Sequence, residues 1–152
     1  MIKTEKPTAG LIVTVITAAL IFLWVYAAVS KLINYEQSRS QMLNQVFPVA
    51  IAKSLVWAVP FTELLISVLL SFLKTRLYGL YGSLILLISF TLYIGLVMNR
   101  VFDRIPCSCG GILNKMSWEQ HLIFNIVFMI LTITAILLSV HLKKGGRMGK
   151  EL

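Results

Sequence analysis

From residue 7 to residue 30 the chain carries no charged side chain. About 20 consecutive apolar residues are what a helix needs to cross the hydrocarbon core of a bilayer. In lipid every backbone N–H and C=O must find its partner within the protein, and a helix satisfies them within the segment itself. Three further apolar runs follow, at 54–72, 77–99 and 118–142, with Glu63 and Glu119 their only charged residues. The expected fold is an all-α membrane protein: a single transmembrane domain over 1–152, built as a four-transmembrane-helix bundle with spans at about 10–30, 54–72, 77–99 and 118–142. A cleavable signal peptide is the rival for the first run. That run is long for a signal h-region, and Tyr26, Ser30 and Lys31 suit the end of a helix that stays.

Composition agrees where it matters. Charged residues make up 13% of the chain, against about 25% in soluble domains, which leaves too little polar surface to cover a soluble globule. The net charge of +8 does not point to nucleic acid, because the basic residues sit at the ends of apolar runs rather than in a patch with interleaved aromatics. Their placement reads as topology. Lys3, Lys6, Lys74, Arg76, Lys143, Lys144, Arg147 and Lys150 fall on one side, and Lys31, Arg39, Lys53, Arg100, Arg104 and Lys115 on the other. The first group is denser and lies in short segments at helix ends, so the positive-inside rule favours both ends of the chain in the cytoplasm. The last residues, 143–152, mix Lys and Arg with glycine and read as a flexible basic tail on anionic lipid.

Between the first two spans, Tyr35, Met42, Leu43, Val46 and Phe47 recur at roughly helical spacing. The segment predicts a short amphipathic surface helix, capped by Asn34 with Gln37 three residues on, and ended near Phe47 and Pro48. Such a helix lies on the membrane surface or packs on the bundle. Ser117 followed by Gln120 is a capping box that starts the last span at Trp118.

With this topology the polar side chains gather at one end. Tyr26, Ser30 and Lys31 close the first span, Trp57 and Pro60 lie in the outer half of the second, Tyr93 and Asn99 lie toward the outer end of the third, and Trp118, His121 and Asn125 open the fourth. Glu63 is the costliest, since an intramembrane carboxylate costs roughly 2.5 kcal/mol or more unless partnered or hydrated. It must face the interior, with His121, Asn125, Tyr26 and Lys31 as candidate partners. Together they read as a proton relay or ligand pocket, or else as an interhelical hydrogen bond with an interfacial histidine. Pro60 frees the carbonyl of Val56 one turn before Glu63, where a kink would make room.

Cys107 and Cys109 are the two cysteines of the chain, in the run Cys107-Ser108-Cys109-Gly110-Gly111. Closing a disulfide across one intervening residue makes a small strained ring, and strain makes such a bond exchangeable. Arg104 and Lys115 favour a thiolate. Gly110 and Gly111 leave loop flexibility and room for another backbone. Thiol exchange is the leading reading, beside a bond that only braces the loop and a pair of inert thiols. A structural zinc site uses four ligands, and Cys107, Cys109 and His121 supply three, so no metal is expected. With one cysteine pair the chain cannot pass electrons across the bilayer by thiol exchange alone. Either it exchanges with a quinone, the one cofactor left open, or it works on the outer side with a thiol-bearing partner.

These residues resemble the MauE family of the DoxX-like superfamily, four-helix membrane proteins of bacteria. The resemblance covers about residues 10–140 and rests on Tyr26, Ser30-Lys31-Leu32, Tyr35-Glu36-Gln37, Trp57-Ala58-Val59-Pro60, Glu63-Leu64-Leu65, the cysteine run, Trp118 and Asn125. Ser108, Gly110 and His121 depart from the family pattern. The resemblance implies a role in maturing disulfide-containing envelope proteins beside a thioredoxin-like companion, at the bacterial inner membrane, and its DoxX relatives suggest a quinone route. The expected activity is thiol–disulfide exchange with a thioredoxin-like or cysteine-containing envelope protein through an outward-facing site. The alternatives are a non-enzymatic assembly factor and a lipid- or quinone-binding protein in which the cysteines only brace the loop.

Overall fold

The computed structural model describes residues 5–99, 101 and 117–148, with side chains described from residue 8 to residue 143 among these. The cysteine segment 107–111, with Arg104 and Lys115, lies outside the described residues, as does the end of the chain from residue 149. Five helices follow in order: α1 Glu5–Ile33, α2 Tyr35–Leu43, α3 Val49–Ser71, α4 Arg76–Met98 and α5 Trp118–Met148. Four of them, all but α2, are long and apolar enough to cross a membrane. The all-α, four-span architecture expected from the apolar runs is the one observed.

Helix α1 packs on α3 and α5, and α4 on the same two, so the spans form a four-cornered bundle. Helix α2 lies against α3 and touches α1. The connection between α4 and α5 joins the bundle at the same end as α2. We call this the loop end; the far end carries the tight turn between α3 and α4.

Burial follows the helical period. In α1 the inward positions are Val13, Ile16, Thr17, Leu20, Trp24 and Ala28, three or four residues apart as one helix face requires. The apolar core fills the far half: Ile16, Leu20 and Trp24 meet Ile66, Leu70, Leu80, Leu87, Ala135 and Ile136. Buried hydroxyls there are satisfied without crossing helices. Thr17 donates to the carbonyl of Val13 at 2.7 Å and Thr132 to that of Phe128 at 2.7 Å, the usual outlet for Ser and Thr in a helix. The cross-helix exception is Trp24, whose Nε1 donates to Ser83 Oγ at 2.9 Å, tying α1 to α4 in the buried interior.

Several element ends differ from the sequence reading. Helix α3 begins at Val49, because Pro48 sits in an extended conformation (φ −53°, ψ 142°) that ends what precedes it and launches a helix directly. Lys53 is then a helical residue with its side chain exposed, since one long cation can run out to water without stopping a helix. Helix α5 continues to Met148, past the expected end at 142. An established helix gains one hydrogen bond per added residue, and cations suit its C-terminal end. Asn34 stands at the N-cap of α2 but makes no side-chain cap. Its amide instead donates to the carbonyl of Ser30 at 3.2 Å, because the last carbonyls of α1 lack helical partners and compete for it. Helix α2 ends at Leu43 and buries none of its residues. The capping box of α5 forms as read: Ser117 N–H donates to Gln120 Oε1 at 3.0 Å and Gln120 N–H to Ser117 Oγ at 3.2 Å.

At the far end α3 and α4 come unusually close. A Cβ on Gly79 would lie 2.8 Å from the backbone nitrogen of Leu70. One glycine therefore sets the spacing of the α3–α4 hairpin, and Leu70 drops into the gap. We predict that Gly79→Val lowers the unfolding stability of the detergent-solubilised protein by about 1–3 kcal/mol through overpacking. Gly95→Ala is the control: it meets nothing within 4 Å, and its thermal unfolding midpoint should stay unchanged or rise slightly.

Candidate functional site

The loop end is not filled. A cavity of about 340 Å³ opens there, with walls from all five helices. Helix α1 contributes Trp24, Ala27 and Lys31, α3 contributes Leu55, Val59 and Glu63, and α5 contributes Trp118, His121 and Asn125. In each case the spacing of three or four residues places the set on one helix face.

The strongest interaction in it is an ion pair. Lys31 Nζ donates to Glu63 Oε1 at 2.8 Å and to the carbonyl of Ala27 at 3.2 Å. The side chain of Glu63 is 1% exposed and that of Lys31 15%. Lys31 stands in the last turn of α1. Side chains on a helix tilt toward its N-terminus, so the lysine leans back into the bundle, and its long stem carries the charge down to α3. Of the four candidate partners for Glu63, Lys31 is the one that takes it.

Three polar atoms around this pair have no hydrogen-bond partner among the described residues: Glu63 Oε2, His121 Nδ1 and Asn125 Nδ2. Glu63, His121 and Asn125 all line the cavity, and Asn125 is 3% exposed. Buried polar groups are nearly always bonded, so three unpartnered atoms on residues that line one space make it the candidate site. Tyr26 is not part of it: the residue does not line the cavity, and its ring stacks on Phe22 at 6.3 Å on the same helix.

The end of α2 and the segment after it close the space from above. Met42, Gln45 and Phe47 line it. The Tyr93 hydroxyl donates to Gln45 Oε1, and Phe47 stacks on the Tyr93 ring with centroids 5.4 Å apart. Gln45 is buried and its Nε2 donates to the carbonyl of Gln41 at 3.1 Å. Sequence reasoning did not single out Gln45 or Trp24 as site residues, or Tyr93 as their neighbour. The available signal was a glutamine set beside Val46 and Phe47 in a segment otherwise read as surface helix.

The chemistry on offer is hydrogen bonding and proton movement at Glu63 and His121. A metal is poorly served. No cluster of three or more His, Cys, Asp or Glu side chains occurs among the described residues, and the Lys31 ammonium already occupies the one carboxylate.

The model of the family described as methylamine utilisation protein MauE matches residues 9–138. The chain belongs to the MauE family. The match spans all four membrane helices and the whole cavity, so the site is part of this MauE-family bundle rather than an appendage to it. Comparison with characterised proteins and with solved structures gives no match.

The ion pair generates a prediction. Breaking a buried pair from one side leaves an uncompensated charge, at a cost of about 3–5 kcal/mol. Lys31→Met should therefore lower stability strongly in detergent, and the double variant Lys31→Met with Glu63→Gln should recover much of the loss. A thermal unfolding series on the two variants checks it.

Proposed function

We propose that this MauE-family protein is a thiol–disulfide exchange protein of the bacterial inner membrane, with both chain ends cytoplasmic and the Cys107–Cys109 pair facing the extracytoplasmic side. The observation that carries the reading is the position of the loop end. Asn99, at the end of α4, and Ser117, at the start of α5, bracket the dithiol segment, and Trp118, His121 and Asn125 beyond it run straight into the cavity wall. The two described residues that flank the segment thus stand at the end of the bundle where Lys31, Glu63 and His121 line the cavity. Its family membership supports a role in envelope protein maturation, and the methylamine link belongs to the family description.

In the exchange a thiolate of the pair attacks one sulfur of a partner's disulfide, forming a mixed disulfide and releasing the partner's second sulfur as thiolate. The other cysteine of the pair then attacks the mixed bond. The pair leaves as a disulfide and the partner as a dithiol; the reverse sequence oxidises the partner. Two electrons and two protons move in either direction. Because the chain holds one pair, turnover needs a second two-electron reactant: another thiol protein of the envelope or a membrane quinone. In this reading His121 and the Lys31–Glu63 pair, at the same end of the bundle, are the proton-handling groups.

Alkylation mass-shift assays on intact cells test this. Both cysteines should change state together under oxidant and reductant challenge, and a trapped mixed disulfide should appear when either Cys107→Ser or Cys109→Ser is expressed alone. Cysteines locked in one state throughout, or a Cys107→Ser, Cys109→Ser double variant with full function in the maturation of envelope disulfides, would overturn the reading.

A further inference from the structure

We propose that the cavity at the loop end binds a neutral amphiphile whose head carries a hydroxyl group. The argument begins with what the cavity lacks. Glu63 Oε2 has no donor and Asn125 Nδ2 has no acceptor among the described residues. Both side chains are almost wholly buried and both line the same space. A carboxylate oxygen can only accept and an amide nitrogen can only donate. The missing group must therefore donate to one and accept from the other. A hydroxyl does both with one atom, and His121, whose Nδ1 also has no partner among the described residues, lines the same space.

Charge narrows the class. Lys31 and Glu63 already neutralise each other at 2.8 Å. A ligand carrying net charge would bring a third, unbalanced charge into the bundle, and burying an unpaired charge is prohibitive. This removes anionic phospholipids and free fatty acids in their ionised form.

Size and walls set the rest. At about 340 Å³ the space falls in the range of small-molecule pockets, about 300–1,000 Å³. Water alone would need about ten molecules at roughly 30 Å³ each, each wanting two to four polar partners, against walls that are largely hydrocarbon. Trp24, Phe47, Phe90, Tyr93, Trp118 and Phe124 present aromatic surface to it, which suits a flat ring. A hydroxylated ring on an alkyl tail fits best; the glycerol head of a monoacylglycerol offers the same chemistry from another source.

Equilibrium dialysis decides the matter, with the full chain in lipid nanodiscs and empty nanodiscs as reference. Three probes are used: 4-octylphenol, its methyl ether 4-octylanisole, and monocaprylin. The ether has the same ring and tail and can accept a hydrogen bond but not donate one. The phenol should bind saturably at one site per chain, and the ether at least about tenfold more weakly. Asn125→Leu should weaken the phenol by a similar factor. Should that variant fail to fold, the phenol-to-ether ratio on the unaltered chain still decides. Tighter binding of monocaprylin than of the phenol would support the hydroxyl site and assign it to a glycerol head. Equal binding of phenol and ether, or no saturable uptake above empty discs, would overturn the proposal. The assay has no thiol step, so its failure leaves the exchange reading standing, and locked cysteines leave the binding result standing.

Discussion

The contact between Lys31 and Glu63 is the constraint on which the loop end depends. In hydrocarbon each charge alone is expensive, by about 2.5–3.5 kcal/mol on insertion scales. Together, at 2.8 Å, they can stay. Their pairing fixes the end of α1 against the middle of α3 and draws the lysine inward instead of out to water. That leaves the second oxygen of Glu63 without a partner among the described residues, on a side chain that lines the cavity.

The rest of the bundle divides around that pair. Toward the far end the helices mesh through leucine, isoleucine and alanine, with hydroxyls bonded within their own helices. Trp24 stands at the boundary. Its ring belongs to the apolar core and its Nε1 is held by Ser83 on α4, while another edge of it lines the cavity. Below it the interior is close-packed; above it the interior is open, with a few polar groups set in largely apolar walls. The division explains how one small bundle can be stable and still keep an unfilled space, since the two tasks fall to different halves.

Much of this was legible in the sequence. The spans were plain because apolar runs of that length have few other homes. Glu63 stood out as costly, and Lys31 was among its candidate partners. What selected Lys31 over Tyr26 was the direction of side chains on a helix: Tyr26 points along a different face and packs on Phe22. The roof of the cavity was not legible. Gln45 and Phe47 reach Tyr93 because the chain folds back after α2, a contact across 48 residues for Gln45 that no local pattern encodes. Helix ends shifted for local reasons, with Pro48 starting α3 early and the unpartnered carbonyls of α1 drawing the Asn34 amide away from its cap. The cysteine run, the most conspicuous chemistry in the sequence, falls outside the described residues, so its reading still rests on residue type and on what flanks it.

The short helix α2 has a consequence of its own. It buries none of its residues, so lifting it from the bundle exposes little hydrocarbon. Segments with few buried apolar contacts are the ones that open locally at low free energy while the remainder stays folded. The far end is the opposite case, with α3 and α4 pressed together at Gly79. Motion in this protein is therefore unevenly distributed by construction. The base behaves as a clamp that holds the helices in register, and the cover over the cavity is the part that thermal energy can move. The contacts that must part to open this cover are few and local, the Tyr93–Gln45 hydrogen bond and the Phe47–Tyr93 stack among them.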